Sequence, residues 1–216
     1  REKLEKIKAL GVKTILHSND SGVAEQHAQK LAKEQGKIYV SPYNDPQIIA
    51  GQGTLAIELL DQLPRLDVVY VSIGGGGLIS GIGCVLKAFS PRTRVVGVSA
   101  KNSAELAASI RAGKMVKVDH FETLADGCAG GVDNDTITLG LGSEVIDDLI
   151  DCSEGQIEVG LQQIAWNEKM LVEGSAGLAY AAWQEDASNN KNKISAVVLC
   201  GANFDKETLS PIFNRE

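Results

Sequence analysis

The stretch 67-DVVYVSIGGGGLISGIGCVLKAF-89 sets the reading of the chain. Val68 to Ile73 is apolar at successive positions, as expected of a parallel strand buried on both faces. Four glycines follow, Gly74 to Gly77, and Leu78 to Phe89 continues with helical spacing. Consecutive glycines are costly to order, because glycine loses more backbone freedom than any other residue. A glycine turn between strand and helix presents several N–H groups to an anion, and the helix N-terminus adds its positive end. Phosphate binding is the leading reading of Gly74 to Gly77; a tight turn without a ligand is the alternative.

Outward from this loop, strand-like and helix-like segments alternate. Strands are expected at Lys13–His17, Lys37–Val40, Val68–Ile73, Arg94–Val98, Asp148–Cys152 and Ile194–Cys200. Helices are expected at about 23–35, with Asn19, Asp20 and Ser21 as N-cap types, and at 48–63, closed by Pro64. Further helices are expected at about 78–89, 104–112, 154–169 and 176–185, with a loop-rich stretch over 114–135. Val23, Ala24, Ala28, Leu31 and Ala32 share one face of the first of these helices. Short links between alternating elements imply an α/β fold with a mainly parallel sheet flanked by helices.

Composition narrows the function. The 216 residues are 44% apolar and 23% charged, ordinary for a globular protein, and the net charge of −7 argues against a nucleic-acid binder. No apolar run approaches the roughly 18 residues of a membrane span. Cys84, Cys128, Cys152 and Cys200 form no C-x-x-C pair, so they are expected to be reduced, mostly buried thiols of a cytoplasmic protein. The first residues, "REKLEKIKAL", read as a charged helix rather than a signal peptide, and the start at Arg1 suggests that this is not the natural N-terminus.

Known phosphate loops do not fit. G-x-G-x-x-G fails at Ile79 and Ser80, and G-x-x-x-x-G-K-[ST] fails because Ile82 follows Gly81. The G-x-S-x-G elbow is absent around Ser80 and Ser175. His17, His27 and His120 lack metal-ligand spacing and read as surface or capping residues. "DND", Asp133 to Asp135, lacks the glycine of a calcium loop and reads as a helix-entry turn.

Other phrases join the glycine loop: "SPYNDPQIIAGQGT" (Ser41–Thr54), "TLADG" (Thr123–Gly127), "EGSAG" (Glu173–Gly177) and "VVLCGAN" (Val197–Asn203). In this order, over nearly the whole chain, they resemble the pyridoxal-phosphate enzymes of the tryptophan-synthase-β fold, fold type II. Within that group they are most like the threonine/serine dehydratases and serine racemases. The resemblance implies that Gly74, Gly75, Gly76, Gly77 and Leu78 wrap the phosphate of pyridoxal 5'-phosphate, mainly through backbone N–H groups. It puts Gly127 beside the cofactor ring and Glu173 near the ring and the cleft wall, where a carboxylate that only organises a helix end is the alternative. Cys200 falls where the family places a small hydrogen-bonding residue, most often serine, facing the pyridine nitrogen; a plain buried cysteine at a strand end is the alternative. Such a neutral partner leaves the ring a gentler electron sink, suited to β-elimination. Tyr43 matches a position near the substrate.

Two departures stand out. Members that bind a divalent cation carry a carboxylate at the end of the strand after the glycine loop; here it is Ser99, and Glu105 alone is a poor substitute, so no metal is expected. The family's Schiff-base lysine, in an S-x-K-x-R-like phrase, has no counterpart in this chain. Residues 1–44 are therefore expected to be the remainder of a small domain and 45–216 most of the large one. The resemblance implies a dehydratase, or ammonia-lyase, that turns L-threonine or L-serine into a 2-oxo acid and ammonia. The full-length protein is expected to be a homodimer or larger homo-oligomer, and this chain to be inactive alone. A serine racemase or related β-eliminating lyase is the alternative within the family, and a non-catalytic binding or regulatory relative the alternative outside catalysis.

Overall fold

Successive side chains of the central strands are buried against opposite cores, with one helix layer on each face of the sheet. The structure, a computed structural model, describes residues 2–18 and 20–213. Strands β1 (Val68–Ser72), β2 (Arg94–Ala100), β3 (Asp148–Cys152) and β4 (Ser195–Val197) form a parallel sheet in the order β3-β2-β1-β4. Val69, Val71 and Val95 face a core formed with helices α3 (Pro46–Gln62) and α4 (Gly77–Phe89), with α6 (Ile137–Val145) beside α4. Val68, Tyr70, Val96 and Val98 face the opposite core, under α7 (Glu154–Gln163), α8 (Gly174–Glu185) and α9 (Lys206–Phe213). Continuous burial, with side chains alternating between two covered faces, is what an all-parallel sheet requires. Helix α5 (Glu105–Ala112) follows β2 and ends at Gly113.

Local chemistry sets the helix boundaries. Asp45 caps α3 by accepting from the N–H groups of Gln47 and Ile48, with Pro46 at the first position, where its missing N–H costs nothing. Ser153 and Gln156 form a reciprocal capping box on α7. Helices α3 and α4 approach backbone to backbone: a Cβ on Gly81 would overlap the Ile49 carbonyl oxygen and lie 2.8 Å from the Gly53 nitrogen.

Several expectations need correction. Lys13–His17 and Lys37–Val40 are irregular segments rather than strands, because no neighbour among the described residues offers them a ladder. Leu16 and Ile38 are accordingly 78% and 91% exposed. Helix α1 (Glu2–Ala9) precedes these segments; α2 (Ser21–Glu34) lies between them, capped by Asp20, and buries no residue fully. Asn19, another N-cap candidate, lies outside the described residues. The helix expected over 154–169 is α7 followed by a π-helical turn, Ile164–Glu168, that stops at Lys169 in the left-handed region. The last strand is shorter than expected, although the Val198 N–H still reaches the Tyr70 carbonyl. All four cysteines are free thiols, but only Cys152 is fully buried, so the expectation of mostly buried thiols fails. Among the described residues no helix is long and apolar enough to cross a membrane.

The α3–α4 contact separates two kinds of helical glycine. Gly81→Ala is expected to destabilise the full-length protein by about 1–3 kcal/mol, through overpacking against α3. Gly140→Ala, where a Cβ meets open space, is expected to stabilise it by about 0.5–1 kcal/mol. Urea unfolding of the two variants checks the opposite signs.

Candidate functional site

The strand order reverses direction between β1 and β4: the chain runs outward from β1 through β2 to β3, then crosses back to β4. In open α/β sheets, clefts that bind ligands form at such points, beyond the carboxyl ends of the strands. Gly74 to Gly77 leave β1 there, and Cys200 to Asn203 leave β4 beside them.

Gly76 is the N-cap of α4 with φ of +83°, a left-handed conformation that favours glycine, and no side chain caps the helix. Among the described residues no hydrogen bond engages the N–H groups of Gly74 to Leu78. The turn is held from outside instead. Thr138 Oγ1 donates to the Gly75 carbonyl at 2.8 Å, and the Tyr43 ring lies so close to Gly75 that a Cβ there would penetrate it. Cys128 backs Gly74, where an added Cβ would come within 2.9 Å of the Cys128 Cα. The result is a rigid row of free donors at the positive end of a helix.

A cleft of about 400 Å³ opens on this row. Gly74, Gly75, Gly76, Gly77, Leu78, Gly127, Glu173, Cys200 and Tyr43 all line it, so every residue singled out from the sequence meets there. Although Cys200 is exposed by surface area, the protein atoms crowded around its sulfur, with Cys128 and Glu173 beside it, push the thiol up to about 12, so it is neutral near physiological pH. Burial likewise raises Cys128 to about 11. Glu173 Oε2 accepts from the Asn203 N–H at 2.9 Å, and the Gly201 carbonyl accepts from the Glu173 N–H at 3.1 Å. Glu173 thus fixes the "CGAN" turn as well as lining the cleft. Among the described residues that line the cleft, none is a lysine or arginine.

Several lining residues escaped the sequence reading, among them Cys128, Ser175 and Glu25. Cys128 follows Gly127 directly, and Ser175 lies within the "EGSAG" phrase; their neighbourhood was the available signal. The Ser175 hydroxyl is buried beside the Cys128 sulfur without a hydrogen-bond partner of good geometry, and its carbonyl accepts from Ser72 Oγ at 2.6 Å. Glu25, on α2, gave no sequence signal. Burial and then the nearby Asp133 carboxylate raise its pKa above the ordinary carboxylate value, opposed by the nearby Tyr43 hydroxyl. The Tyr43 hydroxyl also accepts from the Asp133 N–H at 2.9 Å, and burial keeps that phenol protonated. Tyr43 therefore joins α2, the glycine turn and the Asp133 loop. A second cleft, of about 880 Å³, shares Ser21, Asp126, Ala129 and Gly130 with the first and runs toward Phe121 and Phe204, away from the free N–H row.

Glu25 gives a signed pH effect. Its native form holds a proton more tightly than the unfolded chain, so stability falls as pH rises from the ordinary carboxylate value through the raised native one. Glu25→Gln is expected to remove that slope and to raise the melting temperature near neutral pH. Melting curves of both proteins across the acid-to-neutral range check it; an unchanged slope would contradict the assignment.

Comparison with known proteins agrees with this geometry. The family described as pyridoxal-phosphate dependent enzymes matches residues 1–201. The L-threonine ammonia-lyase of Thermotoga maritima is 33% identical over 213 residues, covering 99% of this chain and 53% of that protein. The catabolic L-threonine dehydratase of Escherichia coli K12 is 32% identical over 200 residues, covering 92% of this chain and 60% of that one. The processed form of threonine deaminase isoform 2 from Solanum lycopersicum superposes with a TM-score of 0.87 at 28% identity, over 97% of this chain and 62% of its own. Maize serine racemase gives 0.86 at 28% identity, over 98% and 66%. The chain thus spans little more than half the length of these curated relatives. Its parallel α/β architecture is that of the fold-type II group, and the chain belongs to the pyridoxal-phosphate dependent enzyme family.

Proposed function

We propose that the cleft at the β1/β4 switch point holds pyridoxal 5'-phosphate, and that the full-length protein is a dehydratase of L-threonine or L-serine, releasing a 2-oxo acid and ammonia. The row of unpartnered N–H groups at Gly74 to Leu78, with the neutral Cys200 thiol across the same cleft, carries this reading. The donor chemistry fits the group. A phosphate is matched by backbone donors and a helix N-terminus, and a Cβ on Gly75 would collide with Tyr43. Bound pyridoxal phosphate supplies the electron sink that acidifies the substrate's α-hydrogen.

The chain's own residues take distinct parts in this reading. Gly74 to Leu78 hold phosphate oxygens through their N–H groups. The Cys200 S–H, a weak donor, would be the cleft's neutral partner for the ring nitrogen and would impose no positive charge on it, which suits loss of a β-hydroxyl. Glu173 keeps the Cys200 turn in place through the Asn203 and Gly201 bonds, and Gly127, which lines the same cleft, would lie beside the ring. Tyr43 stiffens the cradle and walls the substrate side. The Schiff-base lysine is assigned to a part of the protein outside these 216 residues, since none lines the cleft among the described ones. Residues 1–44 are assigned to the small domain and 45–216 to the large one; the sheet lies wholly within 68–197, and α2 buries nothing fully. A cytoplasmic homodimer or larger homo-oligomer belongs to the same reading. The likeness to maize serine racemase favours racemisation as the second reading, which a chiral assay of serine separates from dehydration.

The test uses the full-length protein with pyridoxal phosphate, following cofactor absorbance and 2-oxo acid release from threonine and serine. Both are expected, and the 216-residue chain alone should release none. Gly75→Ala should weaken cofactor binding about tenfold or more, the scale of one lost charge-assisted hydrogen bond. Cys200→Ser should retain activity and Cys200→Asp should lose it. Full-length protein that takes up no cofactor would overturn the reading.

A further inference from the structure

Opposite the glycine row, the cleft wall at Ala129, Gly130 and Gly131 is a loop segment with no strand or helix of its own. It is fastened at Glu105, the first residue of α5, which is 3% exposed. A carboxylate so buried needs donors and a counter-charge. Oε1 accepts from the Val132 N–H at 2.9 Å and from Lys117 Nζ at 3.0 Å, while Oε2 lies 3.1 Å from His120 Nε2. These three donors outweigh burial and hold the carboxyl below its ordinary value. With Nε2–H aimed at Glu105, His120 Nδ1 accepts from the Ser103 hydroxyl at 2.8 Å, and Ser103 Oγ in turn accepts from the Gly130 N–H at 3.0 Å. His120 is therefore not the surface or capping residue expected from the sequence, but a link between Glu105 and the cleft wall.

The same groups do not fit a divalent cation. Both Glu105 oxygens are engaged by protein donors, and at the end of β2 Ser99 offers a buried hydroxyl without a partner where a carboxylate would be needed. We infer that Lys117 is a built-in counter-cation for Glu105, relayed through His120 and Ser103, and that it holds the Ala129–Val132 wall of the cleft without a metal ion. Lys117 and His120 are positioning residues: neither lines that cleft. The inference rests on the proposed cofactor cleft only for its effect on cofactor affinity.

The experiment compares full-length wild type, Lys117→Ala, Lys117→Arg and His120→Ala, each with excess Mg²⁺ and with chelator. Two quantities are read: hydrogen exchange at the Gly130 and Val132 amides, and affinity for pyridoxal phosphate. The Lys117 side chain is 62% exposed, so its truncation should leave the fold intact. Wild type is expected to show the same exchange and affinity with Mg²⁺ and with chelator. Lys117→Ala and His120→Ala should speed exchange at the two amides about tenfold or more and weaken cofactor binding, with exchange in β1 and β2 unchanged. Lys117→Arg should restore both. Wild-type values at the two amides in Lys117→Ala, or wild-type affinity that rises with Mg²⁺ or falls with chelator, would overturn the inference. If wild type takes up no cofactor, the proposed function fails while the exchange comparison still decides the role of Lys117.

Discussion

Backbone N–H groups without an internal partner lie at the start of α4, and the rest of the site is arranged around them. A parallel sheet covered on both faces leaves its strand ends as the place where polar backbone can meet a ligand. Here β1 delivers the chain to that end, and Gly76 turns it into the helix with a positive φ. Tyr43, Thr138 and Cys128 then close around the turn so tightly that side chains at Gly74 and Gly75 would not fit. The conformational freedom that the glycines give up is thus offset by packing around the turn, and their N–H groups stay unpartnered beside the cleft.

Charge in this cleft is unusual for an anion site. No lysine or arginine lines it among the described residues, while Glu25, Asp126 and Glu173 do. An anion held there would depend on oriented backbone dipoles rather than side-chain cations. Neutral thiols at Cys128 and Cys200, and a Glu25 carboxyl whose burial favours its protonated form, keep the local negative charge from growing. Lys117 and the His120 ring are engaged with Glu105 instead, where they hold the loop from behind.

The sheet and the cradle were legible because their signals are local. An apolar run, a glycine turn and an apolar helix follow each other within residues 67–89, and burial in the structure tracks them closely. Segments 13–17 and 37–40 were misread because strand propensity needs a neighbour to become a ladder, and none is present among the described residues. The π-helical turn at 164–168 has no breaker in its sequence, so helical periodicity carried the expectation through it. Glu25, Glu105 and His120 were missed or underrated for one reason. Their roles come from contacts between residues far apart in the chain, such as Tyr43 with Asp133, which no spacing rule encodes.

The central claim is that the glycine row receives the phosphate of pyridoxal phosphate. Amide chemical shifts of the full-length protein, titrated with pyridoxal phosphate and separately with inorganic phosphate, address it most directly. The account predicts that Gly74 to Leu78 show the largest changes in both titrations. Changes centred on the larger cleft around Phe121 and Phe204, with the glycine amides unmoved, would contradict it.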